Sequence, residues 1–196
     1  MKKFFGFLGN EILLGTMIAL LSVFTAVASY QGSMADSKQN EFEINGMKSL
    51  NDGNAEYLSA NQFVVYDFTM YDGWYTADTE DKAAYYEASY SEELQNSIAA
   101  NPDDPFSEAY YDAMYGTANA LFDEADVNFE TASQWDERGD QLQLVMLVMA
   151  LGLAFAAWAS LLGAESNIRL VFSLLALIML VAGVLTYILM VPAITV

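Results

Sequence analysis

Three long apolar runs, with one polar stretch between the first two, organise this sequence. The runs are Ile12 to Tyr30, Leu142 to Leu162 and Leu170 to Ile194, and none contains a charged residue. Because about 20 apolar residues in a helix cross a bilayer core, we expect transmembrane helices at 12–30, 141–163 and 170–194. The predicted fold class is an all-α membrane protein, with three transmembrane helices and an acidic extracytoplasmic helical bundle or stalk over 31–140.

The few basic residues near the runs predict the orientation of the chain. Lys2 and Lys3 precede the first run, and Arg169 lies in the short connection before the third. Basic residues next to spans stay on the cytoplasmic side. We therefore expect a multi-pass cell-membrane protein with residues 1–11 and 164–169 in the cytoplasm. The domain at 31–140 and the C-terminus at Val196 are expected outside.

The first run also has features of a secretory signal. A basic start, an apolar core and the sequence Ala26-Val27-Ala28 fit a cleavage site that prefers small residues. However, the core is long for a signal, and Glu11 stands at its front edge. An uncleaved anchor is the preferred interpretation.

The second and third runs are expected to form a tight antiparallel hairpin because their connection is short. Small residues recur every three or four positions on two faces of the second run, and such residues let helices approach closely. They are Ala150, Ala154 and Ala157 on one face, and Gly152, Ala156 and Ser160 on the other. Ordinary lipid-facing composition is the alternative. Neither run has an ionisable residue at its middle, which argues against a transporter or proton channel but leaves open a pore lined by hydroxyl or backbone groups.

A four-and-three spacing in the polar stretch predicts a long helix with one packing face. Its members are Leu50, Asn54, Tyr57, Asn61, Val64, Phe68, Tyr71 and Tyr75. Asn54 and Asn61 are polar residues on that stripe, where buried asparagine can fix register or pair across helices.

A second helix is predicted from about Thr79, as its cap, to Ala99. The sequence Asn101-Pro102-Asp103-Asp104-Pro105 then breaks the chain, and Pro105 is expected near the first position of a third helix. That helix should continue into the second span, with a bend at Gly139 as one option. Its predicted packing stripe is Met114, Ala118, Leu121, Ala125, Asn128, Ala132 and Trp135.

The charge of the polar stretch narrows the classes of partner. Residues 31–140 contain 24 Asp and Glu against four Lys and Arg. This surface repels nucleic acid, which is excluded as a partner, and attracts cations and basic proteins. A simpler interpretation is that the acids only keep the domain solvated.

The chain has no Cys and no His, which removes the usual zinc, copper and haem ligands and the commonest general base. Acidic clusters at 78–81 and 103–104 could hold Ca²⁺, but neither matches a calcium-loop motif. Asp67 and Asp72 flank aromatic residues as paired glycosidase acids might, yet they lie on one predicted helix with no cleft. We expect no enzyme, no cofactor and no metal site.

Tyrosines are frequent in the polar stretch, and most are expected to form a helical core. Adjacent helical positions point about 100° apart. In the pairs Tyr85-Tyr86 and Tyr110-Tyr111 both rings therefore cannot face inward, and some should meet a partner or solvent. Aromatic rings among acids could also bind a basic protein or a quaternary ammonium ligand.

Two segments of the sequence have a recognisable pattern. They are the residues from Glu130 to Ala157 (ETASQWDERGDQLQLVMLVMALGLAFAA), with the pair Gly139-Asp140, and the closing Leu189-Met190-Val191-Pro192-Ala193. Both resemble the corresponding segments of a group of uncharacterised bacterial three-span membrane proteins. The order of a span, a helical insert with an Asn-Pro break, and a hairpin is also similar. The resemblance implies this layout, implies no activity, and carries over no functional residues.

Together these features favour a non-enzymatic accessory or structural subunit of a membrane assembly. Its partners would be the lipid bilayer and either other membrane-protein subunits or copies of itself. The candidate interaction residues are Tyr85, Tyr86, Tyr110, Tyr111, Asn54, Asn61, Gly152, Ala156 and Ser160. The alternative is an oligomeric channel or ligand sensor whose acidic domain forms a cation-attracting vestibule.

Overall fold

A computed structural model describes residues 10–163 and 166–194. All regular structure in these ranges is helical, in the order α1 (Glu11–Tyr75), α2 (Glu80–Glu87), α3 (Glu92–Ala100), α4 (Glu108–Leu161) and α5 (Asn167–Met190). The predicted topology signals Lys2 and Lys3, and part of the connection at 164–169, lie outside the described residues.

Three of these helices, α1, α4 and α5, contain stretches long and apolar enough to cross a membrane. This agrees with the three spans predicted from the sequence and indicates a membrane protein. The chain divides into two compact units, a first unit of Met1–Phe42 with Glu130–Val196 and a second unit of Glu43–Phe129.

In the first unit, small residues on α4 and α5 admit side chains of the neighbouring helices. A Cβ placed on Gly152 would lie 2.8 Å from the Cβ of Met179 and 2.9 Å from the Cδ2 of Leu21. A Cβ on Gly183 would lie 2.6 Å from the Cε of Met149. The glycines therefore let α1, α4 and α5 pack closely around one apolar core.

The ends of the third span differ from the prediction of 170–194. Helix α5 begins at Asn167, so Arg169 lies in its first turn and not in a loop. Arg169 is 3% exposed, and its Nη1 donates to the carbonyl of Leu162 at 3.0 Å. The helix ends at Met190 because Pro192 disfavours helical backbone at Val191.

The second unit packs α1 against α4 along a line of small residues. Gly46, Gly53, Ala60 and Asp67 recur every seven positions on α1 and are all buried. A Cβ on Gly46 would lie 2.8 Å from the ring of Phe129. We call Gly46, Gly53, Ala60 and Asp67 the small-residue seam.

The stripe predicted on α1 from Leu50 to Tyr75 therefore borders the buried face, and only Asn61, Val64 and Tyr71 of its members are half-buried. Leu50 is exposed, as are Tyr57, Phe68 and Tyr75. At about 100° per residue, this stripe lies about 40–100° around the helix from the seam. The stripe predicted on α4 is confirmed, because Ala118, Ala125 and Ala132 are buried and the other four members are half-buried.

One predicted helix, from Thr79 to Ala99, is two helices. Thr79 caps α2 as predicted, accepting from the backbone N–H of Lys82. The chain then leaves helical geometry, and Ser91 caps α3 by accepting from the backbone N–H of Leu94 at 3.1 Å. The prediction was wrong because a serine followed by two glutamates is itself a helix start.

The breaker at 101–105 is confirmed, but Pro105 is not at the start of the next helix, since α4 begins at Glu108. The ring of Phe106 stacks on Phe68 with centroids 4.0 Å apart, which places Phe106 against α1, and the backbone N–H of Tyr111 donates to the Ser107 carbonyl at the start of the helix. Helix α4 then continues without interruption through Gly139 to Leu161. Gly139 faces α1, and a Cβ added to it would lie 3.0 Å from the Oδ1 of Asp36.

Candidate functional site

A buried carboxylate joins three segments of the second unit. Asp67 on α1 is 0% exposed. Its Oδ1 accepts from the backbone N–H of Ser91 at 2.8 Å, and its Oδ2 accepts from the Ser91 hydroxyl at 2.5 Å and the Tyr110 hydroxyl at 2.8 Å. Hydrogen bonds to an ionised acceptor are short and strong. Asp67 therefore fixes the start of α3 and the first turn of α4 to α1.

Two tyrosines around this carboxylate are held in the neutral form. Burial, and then the hydrogen bond to Asp67, raise the pKa of Tyr110 well above its usual value. Burial, followed by the charge of Glu87, raises the pKa of Tyr90 to about 12. The Tyr90 hydroxyl is buried and has no hydrogen-bond partner among the described residues. A buried hydroxyl without a partner is uncommon and calls for an explanation.

Aromatic rings surround the Asp67 bonds in a continuous chain. Phe106 meets Tyr110 edge-on at 5.2 Å and Tyr71 edge-on at 5.4 Å. Tyr71 in turn lies 5.4 Å from Trp74 and 6.2 Å from Tyr90. Such contacts add stability beyond the area that they bury, so these aromatic side chains stabilise one another's positions.

Part of this aromatic cluster borders an open pocket of about 210 Å³. Its lining residues are Tyr71, Trp74, Glu87, Tyr90, Ile98, Pro102 and Pro105. Three of them are aromatic, one is a carboxylate, and Tyr90 is the residue whose hydroxyl lacks a partner. We call this site the aromatic pocket.

The predicted tyrosine pairs divide between core and surface. Tyr110 is buried beside Asp67, whereas Tyr111 is half-buried. Tyr85 is exposed, and Tyr86 packs on α1, where a Cβ at Gly73 would lie 2.5 Å from the Tyr86 ring. In each pair the two rings differ in burial, as helical geometry requires.

The remaining predicted interaction residues lie in different surroundings. The Oδ1 of Asn61 accepts from the Tyr115 hydroxyl at 2.8 Å, which is a contact between α1 and α4. Asn54 is exposed. On α4, Gly152 and Ala156 are buried, while Ser160 is exposed and donates to the carbonyl of Ala157.

Sequence reasoning missed the role of Asp67 and the aromatic pocket. Asp67 was paired with Asp72, but the first carboxylate is buried and the second is exposed. The pocket residues come from four separate segments, so no local spacing reveals them. The Ser91 cap was the one available signal, because a helix start there brings residues 88–90 into a turn.

Replacing Ser91 by alanine should destabilise the second unit more than replacing Thr79 does. Loss of an ordinary cap costs about 1 kcal/mol. Within the described part of the chain, the Thr79 hydroxyl makes only the cap bond, at 3.4 Å, whereas the Ser91 hydroxyl also donates to Asp67. We expect about 2 kcal/mol for Ser91→Ala and under about 1 kcal/mol for Thr79→Ala. Urea unfolding followed by circular dichroism measures both, and equal losses would contradict the extra bond.

Stability of the second unit should fall in alkali through Tyr90. A tyrosine in the unfolded chain ionises near pH 10, whereas in the folded chain the Tyr90 pKa is raised to about 12. The unfolded state therefore loses its proton first, and the stabilisation present below pH 10 is lost as the pH rises to about 12. Tyr90→Phe should flatten this decline while changing stability at pH 7 by less than about 1 kcal/mol. Unfolding at pH 8 and pH 11 tests it, and a variant with the same alkaline slope as the parent would disprove it.

Among residues 10–163 and 166–194, no three acidic side chains converge in a way that could hold a metal ion. In the predicted acidic cluster at 78–81, the Nζ of Lys82 forms an ion pair with the Oδ1 of Asp78 at 2.6 Å.

Comparison with protein-family models, curated proteins and solved structures found no match. The resemblance to bacterial three-span proteins therefore stays a prediction.

Proposed function

We propose that this protein is a non-enzymatic integral membrane protein that serves as an accessory or structural subunit of a membrane assembly. The three apolar helices anchor it, and the second unit is its outward interaction module. The basic residues Lys2, Lys3 and Arg169 support this orientation, because they belong on the cytoplasmic side.

The observation that carries this proposal is an exposed apolar line on α1. Ile44, Leu58 and Val65 each stand two positions before a seam residue, which places them on the opposite side of the helix. Leu58 is 62% exposed and Val65 is 66% exposed. Single exposed apolar residues are normal, but these three recur at multiples of seven positions, with Asn51 at the intervening position, so they share one helix face on which a partner can pack.

The charge of the second unit favours a different protein over a second copy as the main partner. Residues 43–129 contain 18 Asp and Glu against two Lys. Two such surfaces repel each other, whereas a basic surface is attracted and guided into contact. The partner expected is therefore a membrane-assembly subunit with a basic outward region and an apolar helix face.

Native mass spectrometry after gentle extraction from the protein's own membranes tests the proposal. We expect the extracted protein to be bound to other polypeptides. The double substitution Leu58→Gln and Val65→Gln should reduce that association at least about tenfold. Ala120→Gln, at an exposed position on α4, is the matched control. A multiple of the chain mass would indicate self-association, and a monomer from native membranes would overturn the proposal.

A further inference from the structure

The aromatic pocket has the composition of a site for an organic cation. Three of its lining residues, Tyr71, Trp74 and Tyr90, are aromatic, and a fourth, Glu87, is acidic. Rings attract a cation placed over their faces, and cages of this kind recognise quaternary ammonium groups. A metal ion would be a poor occupant, since hard cations need several oxygen ligands.

The helices that meet at the pocket make it more negative. Tyr71 and Trp74 lie in the last turns of α1, Glu87 ends α2, and Ile98 lies in the last turn of α3. A helix C-terminus carries a partial negative charge and favours a cation within about one turn. None of these three helices has a basic residue in its last turn, so their own side chains do not neutralise this charge.

We propose that the aromatic pocket binds a small solute bearing a quaternary ammonium group, such as choline. The cation lies against Tyr71 and Trp74, with Glu87 as its counter-charge. Tyr90 contributes a third aromatic side chain to the lining. The volume of about 210 Å³ is below the roughly 300–1,000 Å³ of sites for drug-sized ligands, which limits the occupant to a small molecule.

This proposal goes beyond the interaction role and stands independently of it. The ligand site lies at the ends of α1, α2 and α3, whereas the proposed partner surface is the line of Ile44, Leu58 and Val65 on α1. Loss of either activity can therefore be measured without loss of the other.

Binding of choline to the full chain in maltoside detergent, measured by calorimetry, tests the proposal. We expect saturable binding, at least about tenfold weaker binding of the neutral isostere 3,3-dimethylbutanol, and no displacement by potassium. Equal binding of the neutral isostere, displacement by potassium, or no saturable binding at millimolar choline would overturn it.

Substitutions of the lining residues test whether choline binds in the aromatic pocket. Trp74→Ala should weaken choline about tenfold or more, Trp74→Phe should retain much of the affinity, and Glu87→Gln should weaken it several-fold. Tyr75→Ala, at the neighbouring exposed residue, is the control and should bind normally. Unchanged affinity in Trp74→Ala, with helicity preserved, would overturn the proposal.

The same ammonium group occurs in lipid headgroups, so a second arm separates the sources. Choline binding is repeated in nanodiscs of phosphatidylcholine and of phosphatidylglycerol. Equal choline affinity in both is expected and assigns the pocket to a free solute. Displacement by phosphatidylcholine alone would overturn that assignment in favour of the headgroup.

Discussion

Asp67→Ala is expected to destabilise the second unit by about 3–5 kcal/mol, because it removes one acceptor from three donors. The Ser91 backbone N–H, the Ser91 hydroxyl and the Tyr110 hydroxyl all bond to this carboxylate. Leaving a buried donor without a partner costs about 1–3 kcal/mol, and three donors lose their acceptor here. The start of α3 should lose its attachment to α1.

Trp74 fluorescence during urea unfolding measures this loss. Trp74 is the single tryptophan between residues 43 and 129, so Trp135→Phe and Trp158→Phe in the background isolate its signal. Asp72→Ala is the matched control, since Asp72 lies five residues later on the same helix and is exposed. Asp67→Asn should give an intermediate loss, because an amide nitrogen cannot accept these donors. Equal midpoints for Asp67→Ala and Asp72→Ala would disprove the structural role of the carboxylate.

The Asp67 bonds also connect stability with the proposed ligand site. Tyr90 directly precedes Ser91, and its ring lines the aromatic pocket. When Asp67 holds Ser91, it therefore also sets the position of Tyr90 against Tyr71. Pocket geometry and the stability of the second unit are expected to be lost together in Asp67→Ala, whereas Trp74→Ala should weaken ligand binding with a smaller loss of stability.

Hydrophobic patterning predicted the three long apolar helices and the packing face of α4. The α4 face was found because its buried positions are alanines at regular spacing, and alanine counts as apolar. On α1 the same procedure found a stripe that borders the buried seam instead of the seam itself. Gly46, Gly53 and Asp67 contribute little to an apolar pattern, while Leu50, Tyr57 and Phe68 contribute strongly and remain exposed. Small residues form a packing face because they leave room for the neighbouring helix, and a hydropathy pattern does not measure side-chain size.

The candidate site could not be predicted because its contacts are distant in sequence. Asp67 bonds to residues 24 and 43 positions later, and the aromatic pocket combines residues from 71 to 105. The sequence pattern showed that tyrosines and acidic residues are frequent here, and it allowed both a core role and a cation-binding role for the tyrosines. It could not decide which rings serve which role, because that depends on the turn before Ser91.

Gly53→Leu is expected to destabilise the second unit by about 2–3 kcal/mol, since the seam has no room for a side chain. A Cβ at this position would lie 2.8 Å from the Cε1 of Phe122 and 3.3 Å from the Cβ of Leu121. The ring can rotate away, but the Leu121 Cβ moves only with α4. Overpacking of this kind typically costs about 1–3 kcal/mol. The leucine atoms beyond the Cβ add further crowding.

Gly116→Leu is the control that separates crowding from helix propensity. Among the described residues, no heavy atom outside the surrounding helix backbone lies within 4 Å of a Cβ built at Gly116, so the substitution should stabilise α4 by up to about 1 kcal/mol. Phe122→Ala removes the ring that meets Gly53, and in that background Gly53→Leu should lose part of its penalty. A double-mutant cycle gives the coupling directly. If the penalty of Gly53→Leu is the same with and without the Phe122 ring, contact between ring and glycine is not what holds α1 against α4.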